Sequence, residues 1–210
     1  ADRGIGRGIA LALARAGADI IGVGTRIEQD DNGLAAEIAA LGPRFTPMDC
    51  DLADRTAIGR LVDRVAEAGL QVDILVNNAG TIRRAPAAEH EAEDWDDVMA
   101  VNIDAPFLLT RDFGRQMVAR GAGKIIFVAS VLSYQGGLYV PGYAASKGAI
   151  AQLTRAFANE WAGAGVNVNA VAPGYIETDN TAALTSDPVR AAELLARVPA
   201  GRWGNAADIA

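Results

Sequence analysis

Apolar positions along the chain alternate between two spacings. From Gly4 to Ala16, Ile5, Ile9, Leu13 and Ala16 recur at helical intervals, and Asp31 to Leu41 repeats the pattern with Leu34, Ile38 and Leu41 on one face. Thr56 to Ala68 and Tyr143 to Ala164 also read as helices. Asp94 to Arg120 is a long helical region broken near Pro106, because proline has no N–H to give the preceding turn. Between these stretches lie short runs rich in β-branched residues: Asp19 to Gly24, Phe45 to Met48 despite Pro47, Val72 to Val76, Lys124 to Ala129 and Val166 to Val171. Val72 to Val76 has the composition of a strand buried on both faces. Strands that alternate with helices predict an α/β fold with a doubly wound parallel sheet and helices on both faces.

No repeat, low-complexity tract or linker interrupts this order, so residues 1–210 are expected to form a single domain. Residues 175–203 contain no clear strand and are expected to act as a substrate lid. The glycine turn at Gly4 opens a helix with no strand before it, and Asn205 to Ala210 begins a helix that goes no further. A doubly wound sheet needs a central strand before that turn, so the natural protein is expected to extend at both ends.

The chemistry-bearing residues sit where such a fold binds ligands, at the carboxyl ends of its strands. Gly4, Gly6 and Gly8 lie at a loop entering a helix, where close backbone approach and free N–H groups suit a pyrophosphate, although glycines also suit any tight turn. Asn77-Asn78-Ala79-Gly80 directly follows a strand; two asparagines are more than a turn requires. Tyr143 and Lys147 are four apart on a helix and share a face. An ammonium beside a phenol is expected to lower the tyrosine pKa and fit it for proton exchange with an alcohol or carbonyl oxygen. Ser130 ends a strand and offers a hydroxyl to a substrate oxygen, or serves only as a turn residue. Asn102 stands mid-helix, where asparagine is mildly unfavourable. Pro173-Gly174 follows the last strand and is either a ring-binding backbone or a plain loop exit.

Charge and composition narrow the partners. The net charge of −7 argues against nucleic acid, and no run of 18 apolar residues suggests a membrane span. The chain has one cysteine, Cys50, and one histidine, His90, so neither an internal disulfide nor a zinc centre is expected, and His90 reads as an ordinary surface residue. No metal site and no signal peptide are read, and a cytoplasmic enzyme is the default.

Together, the glycine turn, Asp51, Asn77 to Gly80, Asn102, Ser130, Tyr143-x-x-x-Lys147 and Pro173-Gly174, in this order, resemble the short-chain dehydrogenase/reductase family over nearly the whole chain. The resemblance implies a Rossmann-type NAD(P)-binding domain. It makes Tyr143 the general acid/base, Lys147 the residue that lowers the tyrosine pKa and holds the nicotinamide ribose, and Ser130 the residue that orients the substrate oxygen. Asn102 would support a water chain. Arg3, Gly4, Ile5 and Gly6 match the pyrophosphate turn, Arg26 the adenosine ribose end, Asp51 and Leu52 the adenine contacts, and Asn78, Ala79 and Gly80 the cofactor cleft. Pro173, Gly174, Ile176 and Thr178 match the nicotinamide end. The family's leading Thr-Gly is missing before Ala1.

A narrower resemblance is carried by Thr81-Ile-Arg83-Arg84, Asp94-Trp-Asp-Asp-Val-Met99, Gln135-Gly-Gly, Asn159-Glu-Trp-Ala and Pro199-Ala-Gly-Arg202-Trp-Gly204. These are similar to sugar-acid dehydrogenases of the 2-deoxy-D-gluconate 3-dehydrogenase and 2-keto-3-deoxy-D-gluconate 5-dehydrogenase kind. Arg83, Arg84, Gln135 and Arg202 are then candidates for the substrate, since guanidinium pairs with carboxylate through two parallel hydrogen bonds. Gly24 stands where an acid would select NAD, and Arg26 could meet a 2'-phosphate; the subgroup's habit tips the choice to NAD over NADP. The resemblance also implies a homotetramer. Competing readings are a reductase of another carbonyl, such as a 3-oxoacyl thioester or a polyol, and a non-catalytic dinucleotide-binding protein.

Overall fold

The computed structural model describes residues 1–29 and 33–210. It contains parallel sheets with helices on both sides, the Rossmann-type arrangement expected from the alternating pattern. Two compact units are distinguished within it: residues 1–50 with 173–210, and residues 51–172.

The first unit is built on α1 (Gly4–Arg15), β1 (Ile20–Gly24), α2 (Leu34–Leu41) and β2 (Phe45–Asp49). The strands pair in parallel, from Ile20 opposite Phe45 to Gly24 opposite Asp49. The predicted start of α2 at Asp31 lies outside the described residues. Ala10, Leu11, Ala14, Ile20, Leu34 and Ile38 form the core here. The buried face of α1 is therefore Gly6, Ala10, Leu11 and Ala14, not Ile5, Ile9, Leu13 and Ala16. Apolar residues lie on most sides of this helix, so spacing alone did not select the face that packs closest. Leu41, placed on the apolar face of α2, is 42% exposed because it closes the last turn. Residues 175–203, read as strandless, carry α7 (Ala182–Thr185) and α8 (Pro188–Leu195) after a lone bridge between Ile176 and Gly204. The expected helix from Asn205 is only a 3-10 turn, Ala206–Asp208, capped by the Asn205 side chain.

The second unit, residues 51–172, runs α3 (Arg55–Glu67), β3 (Ile74–Asn77), α4 (Ala92–Met99), α5 (Ala105–Arg120), β4 (Gly123–Val128), α6 (Pro141–Trp161) and β5 (Val166–Val171). Its sheet has the order β3-β4-β5, all parallel. Ile125, Phe127, Ile150, Phe157, Val166 and Val168, with Met117, form its core. β3 is half-buried along Ile74 to Val76 and buried at Asn77, where the composition predicts burial on both faces. The helical break falls before Pro106, as a π turn over Ala100–Asp104 that joins α4 to α5. Pro106 sits in the first turn of α5, where a missing N–H is tolerated. His90, read as a surface residue, is half-buried, and its Nε2 is shielded without a partner. Among the described residues no helix is long and apolar enough to cross a membrane.

Candidate active site

The second unit gathers the predicted chemistry around one end of α6. Pro141 starts that helix, with φ pre-set for the first turn, so Tyr143 and Lys147 fall on its first two turns. Lys147 is 5% exposed, and its Nζ lies 5.5 Å from the centroid of the Tyr143 ring. The ammonium donates to the Val128 carbonyl at 2.6 Å. Burial pushes its pKa down to about 8.

Ser130 follows β4 and is 8% exposed. Its hydroxyl bonds the Tyr143 side chain and accepts from the Leu132 N–H at 3.1 Å. Ser133 fixes this corner from the other side. Its hydroxyl accepts from the Ser130 N–H at 3.3 Å and donates to the Lys147 carbonyl at 2.6 Å.

The expected lowering of the tyrosine by Lys147 is not what dominates here. Burial pushes the Tyr143 phenol above its ordinary value, opposed by the Ser130 hydrogen bond and by the charge of Arg84. Lys147 remains a cation below about pH 8, but its Nζ lies over the ring, 5.5 Å from the centroid, and does not offset the burial of the phenol. The sequence spacing showed proximity but carried no information on desolvation.

Asn102 occupies the π turn and is 1% exposed. Its Oδ1 accepts from the Thr81 N–H at 2.8 Å. Its Nδ2 donates to the Thr81 carbonyl at 3.0 Å and to the Ser146 hydroxyl at 3.0 Å. Ser146 in turn donates to the Tyr143 carbonyl at 2.8 Å. The amide side chain is thus taken up in tying the Asn77–Gly80 loop to α6. The residue four beyond Asn102 is Pro106, which has no N–H for the Asn102 main-chain carbonyl. Gly80 borders the same place: a Cβ there would stand 3.4 Å from Asn102 Oδ1 and 3.8 Å from Lys147 Nζ. Asn78 and Ala79 lie beside it, and Asn77 is buried, donating to Thr110 Oγ1 at 3.0 Å.

The two neighbouring arginines differ. Arg83 donates to Asp97 at 2.9 Å and to Thr81 Oγ1 at 3.1 Å, and lies 3.4 Å from Asp94, so it braces the loop against α4. Arg84 instead interacts electrostatically with Tyr143, and partial burial holds its own pKa below the usual value. Gln135 is exposed in the loop before α6. Asp51 accepts from the Ala53 N–H at 2.9 Å, and Leu52 is half-buried.

The first unit holds the remaining candidates. Gly4 opens α1 at a φ of 52°, which glycine adopts readily. The helix N-terminus has no side-chain cap from Arg3 and no acid within its first turn. That arrangement fits a dinucleotide phosphate. Ile5 is half-buried and Gly6 buried. Thr178 packs 3.7 Å from a Cβ built at Gly4, and Arg3 lies 3.3 Å from Asp179. Arg26 is exposed just beyond β1; Pro173 and Ile176 are buried, and Gly174 is exposed. Arg202 is held by both oxygens of Asp208, at 2.7 and 2.8 Å, which keeps its pKa above the ordinary value.

Sequence reasoning gave Ser133, Ser146, Thr81 and Thr110 no role. The signal for Ser146 was available, since it sits inside Tyr143-Ala-Ala-Ser146-Lys147. The others are joined to the site only by the fold.

The sequence pattern of the short chain dehydrogenase family matches residues 1–189. The chain is 57% identical over 206 residues to the 2-dehydro-3-deoxy-D-gluconate 5-dehydrogenase of Pseudoalteromonas atlantica, covering 98% of this chain and 81% of that one. A crystal structure from Beutenbergia cavernae, assigned as an NAD(P) dependent gluconate 5-dehydrogenase and holding NADP at low occupancy, is 50% identical. It superposes with a TM-score of 0.93 over 99% of this chain and 82% of its own. A gluconate 5-dehydrogenase from Burkholderia cenocepacia, in complex with NADP and tartrate, is 38% identical. Its TM-score is 0.93 over 99% of this chain and 81% of its own.

Proposed function

The chain belongs to the short-chain dehydrogenase family, and from that premise we propose that it transfers a hydride between NAD(P) and a secondary alcohol or ketone of a sugar acid, of the 2-dehydro-3-deoxy-D-gluconate type. The observation that carries the reading is a cation, Arg84, set electrostatically against the buried Tyr143 phenol in a chain so similar to a dehydrogenase of that acid.

Each residue's part follows from its surroundings. Ser130 holds the substrate oxygen by its hydroxyl, which already bonds Tyr143. Tyr143 removes the proton from that oxygen in oxidation and returns it in reduction. Proton exchange at a phenol is rapid only if its pKa approaches ambient pH, so charges near it must offset its burial. Arg84 contributes one such charge, and Lys147, a cation below about pH 8, is assigned the other once the nucleotide is bound. Asn102 keeps the Gly80 loop at its distance from α6 and leaves its main-chain carbonyl for water, the route by which Tyr143 is reprotonated. Arg84, whose charge acts on Tyr143, is assigned to the substrate carboxylate, while Arg83 beside Asp97 and Arg202 beside Asp208 brace their own loops. Gln135 offers an amide to the substrate's hydroxyls, and residues 175–203 form the lid.

When bound, NAD(P) exchanges the hydride with the alcohol carbon. Arg3, Gly4, Ile5 and Gly6 would hold its pyrophosphate, and Asp51 and Leu52 its adenine. Asn78, Ala79, Gly80, Tyr143 and Lys147 would line its nicotinamide ribose, and Pro173, Gly174, Ile176 and Thr178 the ring. Gly24 offers no acid to repel a 2'-phosphate, and Arg26 follows it, so both nucleotides are assayed. We assign the enzyme to the cytoplasm as a homotetramer; exposed Phe107 on α5 and small residues of α6 such as Ala145 and Gly148 suit close helix pairing.

The test is a panel of sugar acids and uncharged polyols with NAD and NADP, followed at the nicotinamide absorbance. Activity on 2-dehydro-3-deoxy-D-gluconate above that on every neutral compound is expected. Equal or greater activity on neutral carbonyls refutes the substrate class.

A further inference from the structure

The loop between β4 and α6 contains a strained residue. Tyr139 has a φ of 65°, and it alone among the described non-glycine residues has positive φ. A side chain with a Cβ is crowded against the carbonyl in that region, and for a bulky residue the conformation is a true outlier. Burial of the ring does not hold it there, because Tyr139 is 60% exposed. The backbone on either side is fixed. Val140 is 3% exposed, and a Cβ at Gly137 would stand 2.7 Å from Val140 and 2.9 Å from Leu132. Pro141 then begins α6.

The turn has one visible product. It presents the Tyr139 carbonyl to the Ala85 N–H, which donates at 3.0 Å. Ala85 follows Arg84, and Tyr139 lies in the loop just ahead of α6, whose first turn carries Tyr143. Arg84 and Tyr143, which interact electrostatically, therefore flank the two ends of a single backbone hydrogen bond.

We propose that Tyr139 is a positioning residue for substrate selection: its left-handed turn clamps Ala85 to the entrance of α6 and so sets Arg84 at the distance from Tyr143 that a carboxylate-bearing substrate requires. Strain retained at such a site is a signature of function, since any glycine would relieve it at the same backbone geometry. The proposal rests on the reading of Arg84 as the carboxylate's partner, and it adds the residue that holds Arg84 in place.

The test compares the parent with Tyr139→Val, Tyr139→Gly and Arg84→Ala. For each, kcat/KM is measured on 2-dehydro-3-deoxy-D-gluconate and on its neutral amide, and hydrogen exchange is followed at the Ala85 amide. Valine is β-branched and disfavours the left-handed region, whereas glycine accepts it. Tyr139→Val should speed exchange at Ala85 and lower the acid-over-amide preference roughly tenfold or more, the scale of a small misplacement of a binding group. Tyr139→Gly should keep both the protection and the preference. Arg84→Ala should lose the preference with Ala85 still protected. The clamp is overturned if Tyr139→Val keeps the preference while Arg84→Ala loses it, or if the preference falls with Ala85 still protected. An Arg84→Ala enzyme with the parent's preference overturns the carboxylate reading itself. If Tyr139→Val does not fold, Tyr139→Ala disfavours the turn more mildly and is read against Tyr139→Gly by the same criteria.

Discussion

Replacing Lys147 with methionine should make the protein more stable at neutral pH while it stops working. The ammonium lies 5% exposed, and burial holds its pKa at about 8 against an ordinary 10.5. At about 1.4 kcal/mol per pH unit, that fall corresponds to roughly 3 kcal/mol of disfavoured charge burial. The sign follows from proton counts. Between pH 8 and 10.5 the unfolded chain binds the Lys147 proton more tightly than the folded one, so this group makes stability rise with pH across that window. Below pH 8 both states are protonated, and the whole cost is present. Methionine removes the charge and is about as long and flexible, but it leaves the Val128 carbonyl without its 2.6 Å donor. An unsatisfied buried acceptor costs about 1–3 kcal/mol, so the net gain at pH 7 should be about 1 kcal/mol. The cleaner observable is the difference between variant and parent as pH rises. Urea unfolding without nucleotide, from pH 7 to 10, should show the variant's advantage shrinking and then reversing, because the parent alone recovers stability as Lys147 loses its proton. A difference that stays flat over this range would refute the argument, since it would mean that Lys147 is not buried as a charge. Turnover of the variant should be at background throughout.

Tyr143→Phe removes the proton donor and should lower kcat about a hundredfold or more with little change in nucleotide affinity, as measured by steady-state kinetics and fluorescence titration. Gly114 on α5 faces Trp161: a Cβ there would stand 2.4 Å from the indole, so Gly114→Ala must push the ring aside and should cost about 1–3 kcal/mol by chemical denaturation.

Much of the architecture was legible because period and turn chemistry are local. All five strands and the long helices fell close to their predicted places, and Tyr143, Lys147, Ser130 and Asn102 were brought together in one unit. What could not be read depended on contacts between distant residues. The spacing of Ile5, Ile9, Leu13 and Ala16 marks a helix at α1 but not its buried face, which tight packing gives to Gly6, Ala10, Leu11 and Ala14. Arg83 and Arg84 are neighbours with the same side chain, yet only the fold sets one against Asp94 and Asp97 and the other near Tyr143. The direction in which the tyrosine's pKa moves was misread for a related reason. Spacing reports which groups are near each other, whereas desolvation depends on everything that covers them.

The π turn over Ala100–Asp104 acts as a phase shift between α4 and α5. One extra residue in a helical turn advances every later side chain by about 100° relative to an uninterrupted α-helix. α4 and α5 thus remain one nearly continuous rod while presenting unrelated faces: Val98 looks to Gly142 at the head of α6, and Met117 looks to Gly123 at the start of β4. Asn102 sits at the point where the phase slips, aimed at Thr81 and Ser146 together. Deleting any one residue between Val101 and Ile103 would restore a regular helix and rotate one of those faces out of register. The extra residue therefore works as an escapement, letting a single rod serve two partners that no regular helix could meet at once.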